Sequence, residues 1–243
     1  MKVGLMVIAT NKYIQFVQPL YDSYRKYFLT QTNLEPQFLV FSDSNFSEAS
    51  VNISVKHLKW PGPTLKRYHM FCDNAKKLQH LDYLFYCDAD MLFVHYIGEE
   101  ILSPLTATLH PGFFTGPRER FTYDNNPRST AYVAPNEGIA YYCGGFNGGT
   151  TGEFLKMAET IKTNIDVDEK NKVLARWHDE SHLNRYLINR PPNNTLDPGY
   201  CFFGNCERGE PGLLPSSYYP ITNKIPFEPK LVALMKNHGE LRT

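Results

Sequence analysis

The first apolar run of the chain, VGLMVIA from Val3 to Ala9, is long enough for a buried strand and too short for a helix of its own. Polar TNKY follows. From Ile14 to Phe28, apolar or aromatic residues then recur at Phe16, Val17, Leu20, Tyr21, Tyr24 and Phe28, the spacing of one helix face. PQFLVFSD (36–43) and ISVKHL (53–58) read as a second and a third strand, Leu65 to Leu81 as a second helix, and YLFYCD (83–88) as a fourth strand. This β-α-β-β-α-β order predicts an α/β fold with a Rossmann-like, mostly parallel sheet flanked by helices, whose ligands gather at the carboxyl ends of the strands. The remainder is richer in Gly, Pro and Tyr, with a glycine cluster at CGGFNGG and helices predicted over Gly152–Asn164 and Asp179–Ile188.

One break in the pattern carries chemistry. Asp88 and Asp90 sit one residue apart at the end of the apolar run YLFYCDADMLF, where ionised carboxylates are costly unless a cation or several donors meet them. Continued as a strand, the chain would aim both acids into one cleft at the sheet end. Two carboxylates with waters and a substrate diphosphate suit Mn²⁺ or Mg²⁺. A turn in which both acids bond backbone amides fits the same residues about equally well.

Composition narrows the partners. Lys plus Arg and Asp plus Glu number 25 each, so no net field favours a nucleic acid or a membrane surface, and an anionic ligand must rely on local charge. Five cysteines with no CxxC pair fit free thiols in a reducing compartment, and a cytoplasmic location is expected. MKVGLMVIA lacks a small-residue cleavage pattern and reads as a strand, not a signal peptide. No stretch approaches the ~20 apolar residues of a membrane span. In WHDESHLNRYL, Asp179 and Glu180 open a helix with Leu183, Tyr186 and Leu187 as its apolar stripe. Capping and dipole complementation explain two acids there, and so does a carboxylate at the floor of a pocket. The pattern does not choose.

DYLFYCDADMLF, TLHPGFF, AYVAPNEGIAYYCGGFNGG and WHDESHLN occur in this order, and together they resemble glycosyltransferase family 6, which includes the ABO blood-group transferases, the α-1,3-galactosyltransferase and soluble bacterial and phage relatives. The resemblance runs from LMVIATNKYI to MKNHGELRT. It implies a single GT-A type catalytic domain, with residues 1–93 as the nucleotide-binding half and 94–243 as the acceptor-binding and catalytic half ending in a tail. It also implies retaining transfer of N-acetylgalactosamine or galactose from a UDP-sugar to the 3-hydroxyl of an oligosaccharide acceptor. Carried over residue by residue, Ile8, Ala9, Thr10 and Tyr13 fall where the family holds uridine, Arg67 on a donor-contacting arginine, and Asp88 and Asp90 on the manganese pair. Cys143, Gly144 and Gly145 fall on the triplet lining the donor sugar, Asp179 on a sugar contact and Glu180 on the proposed nucleophile. His110, Thr122 and Trp177 match acceptor-side positions, and Lys236 and Arg242 match basic residues of a tail that closes over the diphosphate.

Departures refine the expectation. Bacterial members that work without metal carry asparagines at the positions of Asp88 and Asp90, so the acids imply metal dependence. Phe203 stands where blood-group members carry an acceptor-contacting aspartate, which argues against a fucosylated acceptor. The small triplet implies room for the acetamido group of UDP-GalNAc, with UDP-Gal as the alternative donor. An inactive, sugar-nucleotide-binding relative is the alternative of another class.

Overall fold

The computed structural model describes residues 1–203, 227–234 and 236–241. Strand β1 (Lys2–Ile8) is followed by a 3-10 turn (Asn11–Phe16) and helix α1 (Val17–Tyr27). The expected single helix from Ile14 is therefore split: its first residues tighten into 3-10 geometry before the α-helix buries Val17, Leu20 and Tyr24. Strands β2 (Glu35–Ser42) and β3 (Val51–Ser54) come next. β3 lies earlier than predicted, because beyond Val55, whose amide bonds the Ser42 carbonyl, the chain leaves the sheet.

The helix predicted from Leu65 to Leu81 is three short pieces, α2 (Gly62–Leu65), α3 (Arg67–Asp73) and α4 (Ala75–Leu78). At Asn74 the side-chain amide bonds back to the Met70 carbonyl at 3.0 Å, a local alternative to continuing the helix. β4 (Tyr83–Asp88) has the predicted bounds. β5 (Met91–Phe93), β6 (Leu105–Leu109) and β7 (Tyr142–Thr150) follow, then α5 (Thr151–Lys170), α6 (His178–Asn189), β8 (Asn194–Leu196), β9 (Phe202–Phe203), β10 (Leu231–Ala233) and α7 (His238–Leu241). Helix α5 outruns its predicted end because its buried face continues through Ile165 to Asp168, an acid whose carboxylate accepts from Ser129 Oγ and the Thr130 amide at 2.7 and 2.8 Å.

Seven strands form one sheet in the order β3-β2-β1-β4-β7-β6-β8. All neighbours are parallel except β7, which runs antiparallel to both β4 and β6. This mixed α/β sheet flanked by helices is the GT-A type arrangement. β7 contains the glycine cluster, whose composition alone argues against a strand. The glycines answer to neighbours: a Cβ on Gly148 would lie 2.2 Å from the Phe85 ring of β4, and Phe146 stacks on that ring at 5.7 Å. Alternation splits the core. Met6 and Ile8 face the layer built on α3, α5 and α6, whereas Leu5 and Val7 face the layer built on α1. A small sheet, β5-β10-β9, flanks the first, with β10 antiparallel to β5. Among the described residues no helix is long and apolar enough to cross a membrane.

Candidate functional site

Ile8 and Asp88 are register partners at the carboxyl ends of β1 and β4. A cleft of about 210 Å³ opens there, with Thr10, Tyr13, Trp60, Asp88, Asp90 and Lys236 on its walls. Ile8 lines it too, whereas the side chain of Ala9 turns into the core. Thr10 Oγ1 lies 2.9 Å from Nδ1 of His57, which the chain brings into the cleft after β3. Asp88 ends β4, but Asp90 lies in the tight turn before β5, so the two acids share the cleft through a turn and not through strand alternation.

Arg67, at the start of α3, is the buried hub. Its Nη1 donates to the Gly144 carbonyl at 2.7 Å, its Nη2 to Asp88 Oδ1 at 3.1 Å, and its Nε faces Asp179 Oδ2 at 3.2 Å. Asp88 Oδ1 also accepts from the Tyr86 hydroxyl at 2.6 Å, and the guanidinium lies 4.1 Å from the Tyr86 ring centre. A buried arginine keeps its proton, so the cost of burying the pair falls on Asp179, whose carboxyl burial pushes up to about 6 against the pull of Arg67. Arg67→Met should lower unfolding free energy by about 3–5 kcal/mol, since Asp179 would be left without its cation. Asp179→Asn added to it should recover part of that loss in urea titrations. A single-variant loss under about 1 kcal/mol would show that the pair carries no structural weight.

Helix α6 begins with His178 at φ 50°, a left-handed residue that turns the helix into the site. The N-cap residue Trp177 makes no side-chain cap bond, and its own amide donates to Ser181 Oγ at 2.9 Å. Glu180 instead accepts from the Gly144 amide at 2.8 Å and from the Tyr141 hydroxyl at 3.0 Å. Burial pushes its carboxyl up to about 7, and those two hydrogen bonds oppose the shift. Thr122 reaches the same Tyr141 phenol.

His110 is held neutral by burial, its pKa pulled down to about 4. Its Nδ1 accepts from the Gly112 amide at 3.0 Å, which puts the ring proton on Nε2. Exposed Phe203 sits edge-on to it at 5.9 Å, and Trp177 is half exposed at the head of α6. Cys143 is buried on β7, and its thiol is within hydrogen-bonding reach of Cys201. A Cβ on Gly145 would lie 2.7 Å from Cys201 Sγ and 3.2 Å from Asp88 Oδ2. Arg242 lies outside the described residues.

Lys236 forms an ion pair with the buried Asp90 Oδ2, and its ammonium lies 5.6 Å from the Tyr13 ring centre. Each acid of the pair therefore has a protein cation beside it. Among the described residues no cluster of three His, Cys, Asp or Glu side chains could hold a metal unaided. The two hard carboxylates, brought to one cleft at the sheet end, fit a hard divalent ion that would take its remaining ligands from a diphosphate and water. Sequence reasoning missed Tyr86, Tyr141, His57 and Trp60, which only the fold brings to this place.

Comparison with known proteins points to one family. The family model described as Glycosyltransferase family 6 matches residues 1–214. The chain is 32% identical to rat Histo-blood group ABO system transferase 1 over 252 residues, spanning 99% of this chain and 68% of the relative. It is 31% identical to human Globoside alpha-1,3-N-acetylgalactosaminyltransferase 1 over 82% of this chain and 60% of the relative. It is 28% identical to the Escherichia coli O-antigen biosynthesis glycosyltransferase WbnI over 79% of this chain and 84% of the relative.

Proposed function

Because the chain belongs to glycosyltransferase family 6 and is a UDP-sugar-dependent glycosyltransferase, we propose that it moves N-acetylgalactosamine from UDP-GalNAc to the 3-hydroxyl of a β-galactoside-type acceptor, in α-1,3 linkage and with retention. The observation that carries this reading is the convergence on one sheet end. Glu180 is held on the Gly144 amide, and Arg67 joins the Gly144 carbonyl to Asp88. The relative named as an α-1,3-N-acetylgalactosaminyltransferase supports the sugar and the linkage.

In this reading the uracil stacks on Tyr13 and the diphosphate lies toward Asp88, Asp90 and Lys236. Asp88 and Asp90 would hold Mn²⁺, or Mg²⁺ in its place, which would supply charge neutralisation for the departing UDP. Glu180 acts on the anomeric carbon, as nucleophile or as the stabiliser of an oxocarbenium-like state. Neutral His110 offers its Nε2–H to an acceptor hydroxyl, and Trp177 and Phe203 offer faces on which a sugar ring stacks.

UDP release measured with UDP-GalNAc and UDP-Gal, over a panel of β-galactosides, tests the proposal. Transfer to none of them, with UDP bound but not formed, would favour a binding protein without turnover. The Gly145 geometry sharpens the donor test. The methyl of Gly145→Ala meets Cys201 and Asp88 before it reaches a sugar, so that variant alone should lose rate with both donors. Paired with Cys201→Ala, it should shift the kcat/KM ratio toward UDP-Gal by about tenfold, the size of effect one methyl group has in a pocket. An unmoved ratio in the double variant would place donor selection on another wall.

A further inference from the structure

Glu180 is held more finely than its helix requires. Asn184, one turn further along α6, accepts from the Tyr142 amide at 2.9 Å and donates to the Tyr142 carbonyl at 2.8 Å, so the helix is already tied to the start of β7. The two bonds on the Glu180 carboxylate do something narrower. With Oε2 on the Gly144 amide and Oε1 on the Tyr141 hydroxyl, the carboxylate cannot rotate about its last bond without breaking one of them.

Tyr141 is itself fixed in place. It is 1% exposed, its carbonyl accepts from the His110 amide at 2.9 Å, and the rings of Phe113, Tyr123, His110 and Phe121 enclose its own with centres 4.9, 5.2, 5.6 and 6.1 Å away. A phenol that gives its proton to a carboxylate has only lone pairs left to offer, and the Thr122 hydroxyl meets them. Donation therefore runs one way, from Thr122 to Tyr141 to Glu180, each bond polarising the next. Resting on the role of Glu180 given above, we infer that Tyr141 is a positioning residue for the transfer step: with Thr122 behind it, its phenol fixes the rotation of the Glu180 carboxylate and favours the charged form over the protonated one.

The other groups around Glu180 define what Tyr141 adds. Burial raises the carboxyl; the Gly144 amide, Tyr141 and Arg67 of α3 act against burial, and Asp179 of the same helix acts with it. Tyr68 of α3 faces the same acids, its phenol kept protonated by burial. Tyr141→Phe takes one oxygen from this set and leaves the aromatic cage, while Asn184 still holds the helix.

The test is the pH profile of transfer by the whole enzyme. In Tyr141→Phe the limb of kcat/KM expected at about 7 should move up by about one pH unit, with kcat above the limb down roughly tenfold and donor KM within a few-fold. Thr122→Val should move the limb the same way by less, and Thr122→Ser, which keeps the hydroxyl, should return it, whatever either does to the KM for acceptor. A second readout needs no turnover. In urea titrations the stability gap between wild type and Tyr141→Phe should widen from about pH 5 to about pH 8, because the charged carboxylate is the form that loses a donor, and a Glu180→Gln background should abolish the widening. An unmoved limb with a gap that does not change with pH would overturn the inference and leave Tyr141 as packing. Wild-type enzyme without the limb, or full turnover in Glu180→Gln, would instead overturn the role of Glu180 on which it rests.

Discussion

Glu180→Gln is expected to lower kcat by roughly 10³-fold while leaving UDP-sugar affinity within a few-fold. The amide can still accept the Gly144 N–H, so the local fold survives and only the charge at the anomeric carbon is removed. The same residue should set a pH limb. Its carboxyl is raised from an ordinary 4.5 to about 7, so the ionised form that the reaction uses accumulates only as pH rises through about 7. Wild-type kcat/KM should climb across that range, and the limb should vanish in the variant. Stability runs the other way. A folded-state pKa above the unfolded one contributes stability that is full below about 4.5 and lost as pH rises through about 7. Glu180→Gln should therefore melt higher than wild type at pH 8, with the gap closing toward pH 5. Turnover near wild type in the variant would reduce Glu180 to a polar packing residue.

Asp90→Asn should cost at least about 100-fold in transfer, and EDTA should abolish wild-type activity that added Mn²⁺ restores. The asparagine keeps the shape of the turn but holds a divalent ion poorly, so the departing diphosphate loses the metal's share of its counter-charge and keeps only that of the side-chain cations. The drop should appear in kcat more than in the KM for acceptor. Full wild-type activity in EDTA would mean that Arg67 and Lys236 carry the diphosphate without metal.

How much of this was legible in the chain varies with the physics behind each element. β4 was read to the residue because an apolar run bounded by Asp82 and Asp88 has few other conformations open to it. β7 was not, because glycine scores against strands and the rings that make those glycines necessary, Phe85 above all, are distant in sequence. The broken helix at Asn74 turned on one side-chain hydrogen bond that periodicity does not register. At the site, Asp88, Asp90, Asp179 and Glu180 stood out as acids beside apolar runs. What joins them did not: Arg67 looks like any helical arginine until the fold places Asp88, Asp179 and Gly144 around it. Tyr141 and Tyr86 carry no pattern of their own, and their hydroxyls matter only through the two carboxylates they meet.

The antiparallel strand β7 also sets an order of assembly. β3, β2, β1 and β4 are contiguous in the sheet and come from the first 88 residues, so they can pair as soon as they exist. β6 is made next, yet in the sheet its neighbours are β7 and β8, both later in the chain. It finds no partner until Tyr142–Thr150 has been made. Through that interval an unfinished chain exposes the β4 edge that β7 later covers beside an unpaired β6, the circumstance in which strands from different molecules find each other. The same docking step brings the Gly144 carbonyl to Arg67 and makes its amide available to Glu180, so a chain stalled before β7 also lacks the residue that joins the two ends of the site.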